Sequence, residues 1–240
     1  MSIPEPRLGE IRQELRAAID AGDSARGVAL AETALAEGIT PLDFFLEVIQ
    51  PVLEAIGDAF ARLEVFLPEL MKAGMVVKSM YQEVLEPASV REHGSTAETR
   101  KGTVVIGAVQ GDIHDIGMNM VALMLQVNGY DVINLGTNVS AKQFIDAAKQ
   151  KDADIIAMSS LLTPSMPYMR DTIELLKGLG LREKYLVVVG GSPITLKYAE
   201  SIGADGYGPD AVRAVHICHT LMKRKHARQP APSSTGEVVS

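Results

Sequence analysis

The run GDIHDIGMNMV at residues 111–121 sets one histidine, His114, between two acids, Asp112 and Asp115, and three residues ahead of Gly117. An imidazole flanked by carboxylates, close to a residue without a side chain, marks a place for a ligand. The preceding segment, Thr103 to Val109, is apolar and β-branched and lies between Lys-Gly and Gln-Gly-Asp, so it reads as a fully buried parallel strand. Gly117 opens a segment with Met120, Val121, Leu123, Met124 and Val127 at helical spacing, and Asn128-Gly129 supplies the stop signal of a helix. His114 therefore falls on the loop at the carboxyl end of a first parallel strand. Open α/β sheets bind their ligands at that end, and a cofactor is expected there.

The C-terminal half repeats this alternation. Strands are predicted over Asp131 to Leu135, Ile155 to Ser159, Tyr185 to Val189 and Ala204 to Tyr207. Helices are predicted over Ala141 to Lys151, Pro167 to Gly178, Leu196 to Ile202 and from Pro209 to about Lys225, with Gly190-Gly191 as the turn after the fourth strand. Five strands alternating with five helices imply a doubly wound parallel sheet, because right-handed crossovers put helices on both faces. In the flavodoxin-like (Rossmann-type) order the first and third strands flank the switch point. The His114 loop then lies beside the loop after the third strand, Ser159 to Ser165.

The first ninety residues have a different texture, with helical periodicity and no β-branched runs. Leu8, Ile11, Leu15 and Ile19 mark one helix ending near Gly22, and Val28, Leu30, Ala34 and Leu35 a second stopping at Gly38. Pro41 starts a third, Pro51 is expected to interrupt or kink it, and a fourth segment runs from Val52 to Arg62. Pro68 starts the fifth, expected to end at Pro87. Short-looped helices of this kind form a bundle. The expected organisation is a helical bundle over residues 1–89, a linker over 90–101, an α/β domain over 102–225 and a disordered tail over 226–240.

Composition bounds the function. The 240 residues are 47% hydrophobic, enough for one good core and a smaller second one. A net charge of −7, with no strong basic run before the last helix, argues against nucleic acid as the main partner. No apolar stretch has the length of a membrane span, and the N-terminus lacks the succession of a signal peptide. The single cysteine, Cys218, can form no internal disulfide, so a reducing cytoplasm is expected.

Asp112-x-His114-x-x-Gly117, then Ser159-x-Leu161, then Gly190-Gly191, in that order across five α/β units, resemble the cobalamin-binding module of corrinoid-dependent methyltransferases and mutases. The preceding bundle, with FLPELM at 66–71, is similar to the cap domain of methyl-transferring members. The resemblance covers roughly residues 5–225 and implies a corrinoid protein whose cofactor is cobalamin or a related corrinoid, cycling between a cobalt(I) form and methylcobalamin.

By that resemblance His114 is the axial cobalt ligand, replacing the base of the cofactor's displaced nucleotide tail. Asp112 fixes its tautomer and Ser165 completes a relay. Gly117 leaves room for the tail. Ser159, Leu161, Thr163, Gly190 and Gly191 line the tail's slot, the glycines permitting close backbone approach. Phe60 and Leu67 align with the two apolar residues that shield the methyl group. One departure is that Leu63 and Val65 stand in a turn where family members often carry glycine. The implied partners are a substrate-specific methyltransferase, a second methyltransferase acting on a thiol or folate acceptor, and a reductive activase. The donor is a methylamine, a quaternary amine such as a betaine, methanol or a methoxyaromatic compound, which the sequence leaves open.

Each residue also has a plainer reading. Asp112 and Ser165 are each capable of an N-cap, Phe60 and Leu67 of simple core packing, and Gly190-Gly191 of a turn. His216 and His219 lie three apart on the last helix, and a solvated face accounts for them better than a metal pair. A phosphoacceptor receiver domain needs an aspartate where this chain has Ser159, and GDIHDIG is not a glycine-rich phosphate loop. A cobalamin-binding mutase subunit, which normally lacks such a bundle, and a cobalamin-dependent sensor, which needs an output region, are the alternatives.

Overall fold

The computed structural model describes residues 4–93 and 100–228. The first helix, α1 (Glu5–Ala21), ends on Gly22 in the left-handed conformation, and Asp23 caps α2 (Ser24–Ala36) by accepting from the Arg26 N–H. A Cβ built on Gly27 would meet Val76 Cγ1 at 2.7 Å, so glycine allows α2 to lie close against the fifth helix.

Pro51 and Pro87 do not break their helices. After α3 (Pro41–Phe44) the chain widens into a π-turn, Phe45–Ile49, and continues as α4 (Gln50–Ala61). After α5 (Leu67–Met80) a second π-turn, Tyr81–Leu85, leads into α6 (Glu86–His93). In both cases the proline is the second residue beyond the π-turn, where the extra residue relieves the clash a proline ring makes with the preceding turn. Pro51 has no N–H to give the Glu47 carbonyl, and the Arg12 guanidinium donates to that oxygen at 2.6 Å instead. Helix α6 carries helical structure four residues into the segment read as a linker, whose residues 94–99 lie outside the described residues.

The C-terminal half is a five-stranded parallel sheet in the order β2-β1-β3-β4-β5, the flavodoxin-like order expected from the sequence. Its strands are β1 (Thr103–Ala108), β2 (Asp131–Asn134), β3 (Ile155–Ser159), β4 (Leu186–Gly190) and β5 (Gly206–Gly208). The crossover helices are α7 (Ile116–Val127), α8 (Ala141–Gln150), α9 (Pro167–Gly178), α10 (Leu196–Ile202) and α11 (Ala211–Arg228). Strands alternate sides. Val105, Ile156, Met158, Val187 and Val189 pack with Phe144, Ile145, Ile173 and Leu176 on one face, while Val104, Ile106, Ile155 and Val188 pack with Met118, Leu125, Val215 and Cys218 on the other. Each fully buried aliphatic side chain of this kind contributes about 1.5–3 kcal/mol. Of the segment read as a tail, α11 includes residues up to Arg228, and 229–240 lie outside the described residues.

The bundle's core is built from Ile11, Leu15, Phe44, Ile49, Val76, Met80 and Leu85, and it continues onto Leu123, Ile116 and Met120 of α7. The helix that follows the His114 loop is thus shared between the two halves. That placement brings the bundle to the His114 loop.

Candidate functional site

The His114 loop is a short, pinned connection. Gly111 adopts φ +80° and gives its N–H to Asn138 Oδ1 at 2.8 Å, while Asn138, itself left-handed at φ 56°, gives its N–H to the Asp112 carbonyl at 2.8 Å. Asn138 lies in the connection between β2 and α8. The sequence reading passed it over, although Gly-Thr-Asn after a strand is a turn composition that tolerates positive φ.

Asp112 is fully buried and every polar contact it makes at its carboxylate is with a donor. Its Oδ1 accepts from the His114 backbone N–H at 2.9 Å and lies 2.8 Å from His114 Nδ1. Its Oδ2 accepts from the Leu161 N–H at 2.6 Å, the Leu162 N–H at 3.2 Å and the Ser165 hydroxyl at 3.2 Å. Burial alone would raise this carboxyl's pKa, but the N–H groups of His114 and Leu161, the imidazole and the Leu162 N–H outweigh it and hold it below its ordinary value. An ionised Asp112 accepts a proton-bearing Nδ1, which leaves the lone pair of the imidazole on Nε2. The ring is 46% exposed, and Nε2 has no hydrogen-bond partner among the described residues. A nitrogen so placed is chemically able to take a metal, with its orientation fixed by the neighbouring carboxylate.

The plainer readings of Asp112 and Ser165 do not hold. Helix α7 is preceded by Asp115, whose side chain makes no cap, and α9 by Met166. Ser165 is buried and turned inward, its hydroxyl also within donating distance of the Leu162 carbonyl at 2.8 Å. Ser160, fully buried and 2.7 Å from Ser165 Oγ, joins this cluster and was missed, since a second serine after Ser159 carries no signal of its own.

The remaining residues divide. Leu161 and Thr163 are exposed on the same loop, and Ser159 is half-buried at the end of β3. A Cβ at Gly191, where φ is +120°, would stand 1.8 Å from the Ser160 carbonyl oxygen, and one at Gly190 would stand 2.7 Å from that of Gly208. The close approach these two glycines permit is to the chain's own backbone. Gly117 is the opposite case, since a Cβ there meets nothing within 4 Å. Phe60 is 40% and Leu67 62% exposed, so neither is core. Leu67, Met71 and Met75 repeat at helical spacing as an exposed apolar stripe on α5, and on the same face Lys78 Nζ lies 3.7 Å from Asp115 Oδ2, beside His114. His219 instead packs against the Tyr130 ring with Lys101 Nζ 3.1 Å from Nε2, and no cluster of three metal-ligating side chains occurs among the described residues.

Residues 102–216 match the B12 binding domain family, and residues 11–82 match a second B12 binding domain model. Dimethylamine corrinoid protein 2 of Methanosarcina acetivorans is 39% identical over 219 residues, 90% of this chain and 98% of its own length. A corrinoid protein of Desulfitobacterium hafniense is 37% identical over 209 residues, 87% of this chain and 96% of its own. This chain belongs to the corrinoid-protein family. It binds cobalamin or a related corrinoid. The monomethylamine corrinoid protein of Methanosarcina barkeri superposes on it with a TM-score of 0.72 at 31% identity, over 89% of this chain and 99% of that one. The residues of this corrinoid protein fit the cofactor: an imidazole with a free Nε2, open space over Gly117, and an exposed apolar stripe leading to the same loop. No helix among the described residues is long and apolar enough to cross a membrane.

Proposed function

We propose that this corrinoid protein is a methyl carrier that holds its cofactor through His114, with the cofactor's own base displaced. Its partners in this reading are a substrate-specific methyltransferase and a second methyltransferase acting on a thiol or folate acceptor, with a reductive activase, in the cytoplasm. The observation that carries the reading is the pair His114 Nδ1 and Asp112 Oδ1 at 2.8 Å, with Nε2 left free. When bound, a corrinoid supplies a cobalt that accepts a methyl group from one partner and gives it to the other. The protein supplies what surrounds it. Asp112 orients the imidazole and fixes its tautomer, the N–H groups of His114, Leu161 and Leu162 keep Asp112 ionised, and the Ser165 hydroxyl stands beside Oδ2. Gly117 leaves a path for the tail at the start of α7, with Ser159, Leu161 and Thr163 along the neighbouring loop. Phe60 and Leu67, both exposed, would shield the bound corrinoid and keep water away. The names of the relatives put a methylamine first among the candidate donors.

The test is reconstitution with hydroxocobalamin, comparing the absorption spectrum of the native protein with that of His114→Ala. A base-off, histidine-ligated spectrum that disappears in His114→Ala is expected. A spectrum indifferent to His114 overturns the proposed ligation.

A further inference from the structure

Two buried hydroxyls next to Asp112 have more acceptors than protons. Ser165 Oγ lies within donating distance of Asp112 Oδ2 at 3.2 Å and of the Leu162 carbonyl at 2.8 Å. Ser160 Oγ lies 3.0 Å from the same Leu162 carbonyl and 2.7 Å from Ser165 Oγ. Each hydroxyl carries one hydrogen, so the two protons are distributed over Asp112, Leu162 and one another. The Leu162 carbonyl already accepts the Ser165 N–H at 3.1 Å, so one lone pair is left for the two hydroxyls; when Ser160 donates to it, the carbonyl is full and Ser165 is free to donate to Asp112. Without the Ser160 hydroxyl, the shorter contact draws Ser165 to Leu162, and the carboxylate loses a donor.

The backbone holds Ser160 in place to do this. Its N–H donates to the Gly190 carbonyl at 3.1 Å, and its own carbonyl oxygen occupies the space a Cβ of Gly191 would fill. Ser160 is 0% and Ser165 2% exposed, so water does not substitute as a partner for either. The double glycine at the end of β4 therefore reaches His114 through four consecutive contacts: Gly190 to Ser160, Ser160 to Ser165, Ser165 to Asp112, and Asp112 to His114.

We infer that Ser160 is a positioning residue for the axial ligand, directing the Ser165 proton onto Asp112 and so setting how firmly His114 is held. This rests on the reading of His114 as the ligand. It differs from a packing role in one respect: its effect passes through Ser165. The experiment is a double-mutant cycle on the full-length protein, with Ser160→Ala, Ser165→Ala and the pair, loaded with hydroxocobalamin. The readouts are the fraction showing the histidine-ligated spectrum and the affinity for hydroxocobalamin. Partners of a metal-bound histidine commonly change affinity by about 10–100-fold. Ser165→Ala is expected near the low end of that range, about tenfold, and Ser160→Ala at about threefold. The pair should match Ser165→Ala alone, because nothing remains for Ser160 to direct. Equal additional loss from Ser160→Ala in the Ser165→Ala background would overturn the inference, as would no loss in either background. His114→Ala run alongside separates the two ideas: if its spectrum changes while Ser160→Ala leaves the ligand untouched, only the Ser160 inference fails.

Discussion

Replacing Asp112 by asparagine removes a charge and one acceptor at the point where five donors converge. The native carboxylate serves two donors from His114 with Oδ1 and three donors, from Leu161, Leu162 and Ser165, with Oδ2. An amide offers one oxygen. If that oxygen faces Leu161, the amide NH2 faces the His114 N–H and forces Nδ1 to become the acceptor, moving the imidazole proton to Nε2. If it faces His114, two backbone N–H groups and a hydroxyl are left against another donor, so the first orientation, which leaves only the His114 N–H unpaired, is the favoured one. Hydrogen bonds to a charged group are worth about 1.5–3 kcal/mol each, so either orientation should cost the apoprotein about 2–4 kcal/mol of stability. The held-down pKa of Asp112 gives the sign of the pH dependence. A carboxyl lowered in the folded state stabilises fully above its unfolded pKa, about 4, and the contribution fades as pH falls through the folded value. Denaturant unfolding of the native and Asp112→Asn apoproteins should show that gap at pH 7 and a clearly smaller one at pH 3. Nitrogen-15 NMR of His114 should show Nδ1–H in the native protein and Nε2–H in the variant. An equal gap at both pH values, or an unchanged tautomer, would refute the argument that the ionised carboxylate sets the imidazole.

Gly117→Ala should leave the unfolding midpoint of the apoprotein unchanged or slightly raised, since an added Cβ meets nothing and alanine favours the helix by up to about 1 kcal/mol. The same variant should bind hydroxocobalamin about tenfold more weakly, read by spectral titration, because the methyl group enters space kept for the ligand. Leu63, 75% exposed and left-handed at φ 61°, sits in the turn between α4 and α5. Leu63→Gly should raise thermal stability by roughly 0.5–1 kcal/mol, the relief of left-handed strain less the entropy glycine loses on folding, and a lowered melting temperature would contradict it.

What could be read from the sequence follows from how local each signal is. The β-branched run before GDIHDIG and its four successors define parallel strands because their signal is complete within a few residues, with β1, β3 and β4 central and β2 and β5 at the partly exposed edges, and handed crossovers put helices on both faces. The prolines at 51 and 87 misled because their cost is local but its relief is not. Pro51 is accommodated by a π-turn and by Arg12, which donates to the carbonyl of Glu47, 35 residues further along the chain. Ser160 and Asn138 were invisible for a related reason: each acts on the His114 loop from a different crossover, and only folding brings them there.

The glycines sharpen the point, because one residue type carries opposite meanings at two positions of the same site. At Gly191 a side chain is forbidden by the Ser160 carbonyl 1.8 Å away, so the chain itself demands glycine and the backbone geometry of the relay depends on it. At Gly117 the folded chain makes no such demand, and a helix start would be better served by almost any other residue. A glycine that costs the apoprotein helical stability and relieves no contact of its own is one the fold alone does not call for. Gly117 stands three residues from a histidine whose Nε2 has no partner among the described residues, and in the proposed reading it is kept for the corrinoid, so that Gly191 reports what the fold requires and Gly117 what the ligand requires.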